Sequence, residues 1–501
     1  MDDRACGRSS WQMVSLPHFA IRGAGIFILG LGAGLALVDD AAAQTAASPP
    51  PGTSSTPLVD VSEVEVIDIE VVGRTYGGKS AASDLVKRQT APRREAAAAV
   101  PKTGDWFEDW LKGSSALGDW GGERKKLEDT GLTLSGFTVT ALMGNTSGGT
   151  RQSSAPANST LLAADLDFGK FSGLTGFLIH AEGWLAGGSN MSTKGRINNL
   201  FNVASAYTPH GAYLGQLYAQ QQLLDDKLEI QVGRMTTANN FAALPVAADY
   251  VSVAVNAIPL SQPLNTVPFT SYPSTQWAAV ATIKPESRFE FAGGVYTANA
   301  KASALKGTGG TDFDFDLDDG LMAIGQMTYL HQQAKGDKGL PGTYYLGAFY
   351  AGDSYARLDG KGGHGPKHEE TGNFGFYVMG QQMIYREGGP GSSEGLTPWF
   401  SIAIQPDEAI NKMPVMLAGG ASYEGLLPGR DTDTAAFAVY YGKLSGDLRN
   451  VTAETVFEVN YTLWATPWLG ITPDFQYIIN PNGDTDRSDV AVLGAQLLVN
   501  F

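Results

Sequence analysis

The sequence predicts an all-β fold: a transmembrane antiparallel β-barrel of about 16 strands, with long extracellular loops and short periplasmic turns. Three observations predict it. Segments of strict apolar and polar alternation recur at roughly the ten-residue length that crosses a bilayer when tilted. The connections between them alternate between tight and long, as periplasmic turns and outer loops do. The chain also finishes on "VLGAQLLVNF", in which Leu493, Ala495, Leu497, Val499 and Phe501 share one face. Most soluble chains end in a polar, frayed tail, whereas a barrel must pair its last strand with its first so that no backbone edge meets lipid. A closing sandwich strand would alternate in the same way, so the fold prediction rests on the three observations together.

Composition agrees. With 62 Gly, 19 Tyr, 22 Phe and 9 Trp, the chain favours many strands joined by Gly-rich turns. A formal charge of −16 leaves no basic face to displace counterions from phosphates, which excludes nucleic acid as a partner. The mean hydropathy of −0.11 is what results when every second residue faces a wet lumen.

Residues 1–43 read as a signal peptide. Arg4, Arg8 and Arg22 precede the apolar run Ala24 to Val38, and "DDAAAQ" supplies small residues for cleavage near Ala43. The single cysteine, Cys6, falls in that segment, so the exported chain carries no thiol for a disulfide, a nucleophile or a metal. Residues 44–104 are rich in Ala, Pro, Ser and Thr and read as a disordered periplasmic leader. Within them Gly73, Gly78, Lys79 and Ser80 have the spacing of a phosphate-cradling loop. The preceding strand-like run is interrupted by Glu63, Glu65, Asp68 and Glu70, whereas a central parallel strand is continuously apolar. A flexible segment with one extended stretch is the preferred reading.

The barrel domain spans 105–501, opening with a short helical lead-in over 105–130 that ends in "GERKKLEDTG", with Gly131 placed as a left-handed cap. Alternation then predicts strands at 131–143, 159–168, 175–187, 212–222, 227–235, 276–284, 288–296, 320–331, 342–352, 373–386, 396–405, 413–424, 434–442, 454–464, 468–479 and 489–501. "GKFSGL", "LDD", "PES" and "TP" are tight connections, while 144–158, 188–211, 236–275, 297–319 and 353–372 are long and polar. Trp277, Tyr296, Trp399, Tyr423, Trp464 and Trp468 lie near strand ends, as an interfacial girdle places them.

Several stretches in order, among them "ALGDWGGERKKLEDTGLTLSG", "LEIQVGRMTTANNFA", "FGFYVMGQQMIYREGG" and "TPWLGITPDFQYIINPNG", resemble the carbohydrate-selective porins of the OprB family. The resemblance covers Ala116 to Phe501. It implies an outer-membrane channel through which neutral sugars diffuse passively, embedded in outer-membrane lipid, with no cofactor and no metal. Large porins are commonly homotrimers. In porins a long loop folds inward and narrows the channel, which here places the constriction in 236–275. A structureless loop of that size is improbable in a compact domain unless it is functional.

That loop carries Asn239, Asn240, Asn256, Gln262 and Asn265 beside Phe241, Tyr250 and Phe269. Amides and rings suit sugars, which offer hydroxyls in plane and C–H faces above and below. Arg234 at the mouth of the loop is the leading pore residue, with a wall salt bridge as its structural alternative. Glu182, Glu229, Gln231, Glu458, Asp474 and Gln476 follow as inward-facing candidates from the alternation, with Asn239, Asn240 and Phe241 from the loop.

Other chemistry is disfavoured. "DFDFDLDDG" departs from a calcium loop because, with Asp314 first, the sixth residue is Asp319 and the twelfth Gly325. The six histidines, His180 and His331 among them, lack metal-ligand spacing, and no Ser sits in a nucleophile elbow. A general or cation-preferring porin is the alternative, allowed by the negative charge. An outer-membrane enzyme or adhesin ranks below it.

Overall fold

The computed structural model describes residues 105–255, 258–299, 308–358 and 369–501. The signal segment, the leader with its phosphate-loop spacing, and Asn256 lie outside the described residues.

Seventeen strand segments form one sheet, and the two-residue Tyr385–Arg386 is an extension of the tenth strand, leaving sixteen. They are β1 (Leu132–Ser147), β2 (Ser154–Asp167), β3 (Phe177–Gly188), β4 (Gly211–Leu223), β5 (Leu228–Met235), β6 (Gln276–Glu286), β7 (Phe289–Thr297) and β8 (Leu321–His331). The rest are β9 (Gly342–Ala356), β10 (Glu369–Gln382), β11 (Gly395–Ile404), β12 (Val415–Glu424), β13 (Thr434–Lys443), β14 (Ala453–Thr466), β15 (Leu469–Ile479) and β16 (Val490–Asn500). Each pairs antiparallel with the next, and β16 returns to β1 in the register Phe137↔Asn500 through Gly144↔Leu493. The barrel is closed. Phe501 completes the seam, donating from its N–H to the Gly136 carbonyl at 2.9 Å and accepting the Gly136 N–H at 3.1 Å. Among the described residues no helix is long and apolar enough to cross a membrane; the strands do the crossing.

Period-two burial gives the wall two faces. Along β9, Leu346 and Tyr350 are exposed outward, whereas Tyr345 and Phe349 are buried inward. Gly131 caps the lead-in helix Glu123–Thr130 at φ 103°. A Cβ there would lie 2.5 Å from the Asp167 carbonyl oxygen, so only glycine fits. Upstream, helix Trp106–Lys112 packs Trp110 against Trp468 with ring centres 4.7 Å apart and planes tilted by 42°, and the Trp468 indole N–H donates to the Trp110 carbonyl at 3.2 Å.

Strand boundaries differ from expectation at one place in particular. The predicted 144–158 loop shrinks to 148–153 because β1 and β2 continue past the apolar part of the alternation. Asn145 holds that extension, donating to the Gly148 and Arg151 carbonyls. The contrast of tight and long connections is sharp in the first half, where 224–227 and 287–288 oppose 189–210, 236–275 and 298–320, and fades in the second, where 383–394 equals 357–368. Three girdle residues are also corrected: Tyr296 and Trp399 are buried and face inward, and Trp468 is buried against Trp110.

Leu493→Arg, on the outward face of the closing strand, is expected to destabilise the folded barrel in lipid vesicles by about 2–4 kcal/mol near the midplane. Urea titration of vesicle-inserted protein checks this, and an unchanged midpoint would place that face away from lipid.

Candidate channel constriction

The longest connection, 236–275, turns into the lumen and is largely buried. It contains 3₁₀ turns at Thr237–Asn239 and Pro245–Asp249 and a short helix Ser261–Asn265. Phe241, Leu244, Val246, Tyr250, Val251 and Phe269 form an apolar core inside the barrel. Phe241 meets Tyr296 edge-on at 6.3 Å, and Phe269 meets Phe349 at 5.2 Å.

Backbone groups buried in such a core need partners, and inward-pointing wall side chains supply them. Gln326 Oε1 on β8 accepts the Ala242 N–H at 2.9 Å, and Gln381 Oε1 on β10 accepts the Val246 N–H at 2.8 Å. Across the lumen, the Glu458 carboxylate on β14 accepts the Val251 N–H at 2.6 Å and the Tyr440 hydroxyl at 2.7 Å. Ser422 donates to Asp249 at 2.7 Å, and Asn265 donates to the Met413 carbonyl at 2.8 Å. The Trp399 indole N–H donates to the Tyr250 hydroxyl at 2.6 Å. Burial pushes the Tyr250 phenol well above the ordinary tyrosine range, so it stays neutral.

A second segment joins it, unanticipated from the sequence. Part of 189–210 also folds inward: Glu454 accepts the Leu200 and Phe201 N–H groups at 2.8 and 2.9 Å, and Gln476 donates to the Val203 carbonyl at 2.8 Å. The two loops hold each other through Ser205 N–H to Val251 O at 2.8 Å and Val253 N–H to Asn202 O at 3.0 Å. The available signal was the apolar spacing of Ile197, Leu200, Phe201 and Val203, too greasy for an exposed loop.

The expected site residues divide into three groups. Glu182 and Asn239 come together through Gln216, whose amide donates to Glu182 at 2.9 Å and Asn239 at 3.4 Å. His180 lies in the same cluster, with Nδ1 2.6 Å from Asp165 and Nε2 3.0 Å from Glu182, and its ring stacks on Tyr218 at 4.8 Å. On this wall too, Gln231 donates to Gln220 at 2.9 Å, and Glu229 lies 3.5 Å from Gln222. On the opposite wall Glu458, Asp474 and Gln476 face inward; Glu458 and Gln476 anchor the loops, and Gln476 donates to Asp474 at 2.8 Å. Asn240 and Phe241 are buried in the inward loop.

Arg234 is the correction. It stands opposite Leu217 on β4 and Trp277 on β6, and it shares the phase of Ile230 and Val232, which are exposed on the outer wall. Its guanidinium donates to the Asp312 carbonyl and to Thr275 Oγ1 at 3.0 Å, and stacks over Phe313 at 5.8 Å. Counting by twos from Gln231 reaches Gly233 and Met235, so the alternation itself assigns Arg234 to the outside.

The lumen offers mostly neutral polar atoms. Gln231 Oε1, Gln262 Nε2 and the Tyr272 hydroxyl are buried with no hydrogen-bond partner among the described residues. Among those residues no group of His, Cys, Asp and Glu could hold a metal ion. A closed barrel with an apolar outside and a lumen narrowed by its own longest loop defines a porin.

The chain belongs to the family described as "Carbohydrate-selective porin, OprB family", which it matches over residues 151–501. It is a carbohydrate-selective porin of the outer membrane. It is 23% identical to Porin B of Pseudomonas aeruginosa over 421 residues, covering 77% of this chain and 91% of that protein. It is 21% identical to the putative porin QuiX of Acinetobacter baylyi over 430 residues, covering 79% and 94%. The high-pH structure of Pseudomonas putida OprB superposes with a TM-score of 0.71 at 21% identity, over 78% of this chain and 99% of that one, a likeness of fold.

Two outcomes follow. Glu458→Gln, which replaces one of the two carboxyl oxygens that hold Val251 and Tyr440, is expected to weaken loop anchoring by about 1–3 kcal/mol, read as added noise in single-channel current with the closed barrel retained. Arg234→Ala is expected to leave sugar block of that current unchanged, because the side chain lies outside the lumen.

Proposed function

We propose that this porin passes neutral mono- and oligosaccharides such as glucose down their gradient and carries out no catalysis. One observation supports this reading above the others: the wall carboxylates Glu182, Glu454 and Glu458 are occupied as hydrogen-bond acceptors. What is left for a solute is amide and phenol groups beside aromatic rings, which bind sugars through several modest contacts and release them. The constriction is the inward part of 236–275 with the Glu182, Gln216 and Asn239 cluster and Gln231 beside it. Residues 1–43 direct export and 44–104 form a periplasmic leader. The 236–275 connection enters from the extracellular end, and the tight turns at 224–227 and 287–288 face the periplasm. The working unit is a homotrimer in outer-membrane lipid.

A cation-preferring pore is the second reading, favoured by the net charge of −16. Planar-bilayer recordings separate the two. Added glucose or a maltooligosaccharide is expected to reduce the current in a saturable way, and liposomes are expected to swell in glucose. Cation-selective reversal potentials with no sugar block would overturn the sugar reading.

A further inference from the structure

On the wall away from the Glu182 cluster, four inward side chains form a two-by-two block. In the register of β14 and β15, Glu458 stands opposite Gln476 and Asn460 opposite Asp474, and all four are buried. Contacts run round the block: Asn460 Nδ2 donates to Glu458 at 3.2 Å, Gln476 Nε2 donates to Asp474 at 2.8 Å, and the two carboxyl groups adjoin each other. Both inward loops cap it. Asn460 also donates to the Asp249 carbonyl at 3.1 Å and Gln476 to the Val203 carbonyl at 2.8 Å, while Glu458 receives the Val251 and Ser252 N–H groups.

The block has no donor left. Each amide nitrogen serves two acceptors, which fixes how each amide is turned and leaves Asn460 Oδ1 and Gln476 Oε1 without a partner. Asp474 Oδ1 is unpartnered as well. Asp474, Asn460 and Gln476 are 2%, 4% and 0% exposed, so bulk water does not relieve them. An orphaned buried acceptor costs about 1–3 kcal/mol, and three belong to this one block. Charge adds to the demand. Among the described residues the partners of the two carboxylates are amide, phenol and backbone N–H groups, with no basic side chain among them. Buried charges are paired or coordinate a metal. A proton shared between the carboxyls leaves both amide oxygens bare, and a water molecule leaves the charge in place. A cation answers both.

We infer that this block binds a hard divalent cation, calcium by its ligand set, beneath the junction of the two inward loops. Calcium takes carboxylate and amide carbonyl oxygens in flexible geometry and completes its shell with water, and two carboxylates without a basic partner match its charge. Asp474, Asn460 and Gln476 supply the ligands. Glu458, whose oxygens already hold Val251 and Tyr440, supplies charge from beside the ion. The amide half sets this site apart from one built of acids and histidines, which the described residues lack. It lies where Ser205 bonds to Val251 and Val253 to Asn202, so the ion sits under the crossing that narrows the lumen.

The test uses the full chain, extracted in detergent, freed of metal with EGTA and titrated with calcium chloride by calorimetry. One ion per chain is expected at this block, with a Kd of about 0.1–1 mM. Asp474→Asn is expected to weaken that binding at least about tenfold, and Asn460→Ser, which keeps both carboxylates, by a similar factor. Asp314→Asn with Asp316→Asn, on the acidic connection between β7 and β8, is expected to leave it unchanged. Heat-dependent gel mobility confirms that each variant is a closed barrel, and Asn460→Ser carries the test where Asp474→Asn does not close. Absence of calcium uptake, uptake that survives both block substitutions, or uptake lost with Asp314 and Asp316 would overturn the inference. Sugar block of the channel current, recorded apart from the titration, reports the transport reading separately.

Discussion

A polypeptide in hydrocarbon has no water to receive its amide groups, so every strand edge must find another strand. This requirement governs the architecture. It explains why Phe501 is bonded through its backbone to Gly136, and why sixteen strands of modest length take precedence over a conventional core. Once the wall is closed, its apolar positions face outward, and the interior has to be built from something else.

That interior is built from two loops, and the cost of putting loop backbone in a barrel determines which wall residues are polar. Glu454 and Glu458 accept loop N–H groups that would otherwise be buried without partners, Gln326 and Gln381 do the same with neutral amide oxygens, and Gln476 donates its amide N–H to the Val203 carbonyl. An unmade bond of this kind costs on the order of 1–3 kcal/mol, so the constriction is a braced crossbeam rather than a hanging flap. The carboxylates of Glu454 and Glu458 are thereby occupied by the loops they hold.

Much of the wall was legible because period two is a local property: Phe457, Glu458, Val459 and Asn460 announce their sides within four residues. The helical cap at Gly131 was legible for the same reason. What local pattern could not reveal was where long connections go. The inward course of 236–275 came from family likeness, and that of 197–206 was missed because partners such as Glu454 and Gln476 lie far along the chain. Arg234 shows a different failure. Its phase was readable, but a charge beside the longest loop suggested the lumen, while its actual partners are Thr275 at the far end of that loop and Asp312 on the 298–320 connection. Gln216 was overlooked because a bulge opposite Ala181 and Gly183 shifts the phase of β4 at that point.

The contact of Trp110 with Trp468 joins positions 358 residues apart, and Ala116 donates its N–H to the carbonyl of Asn500 at 2.9 Å. The lead-in helix therefore has no complete seat until the final three strands are in place. Docking of Trp106–Lys112 is in effect a latch that can close only on a wall whose last strands are already paired.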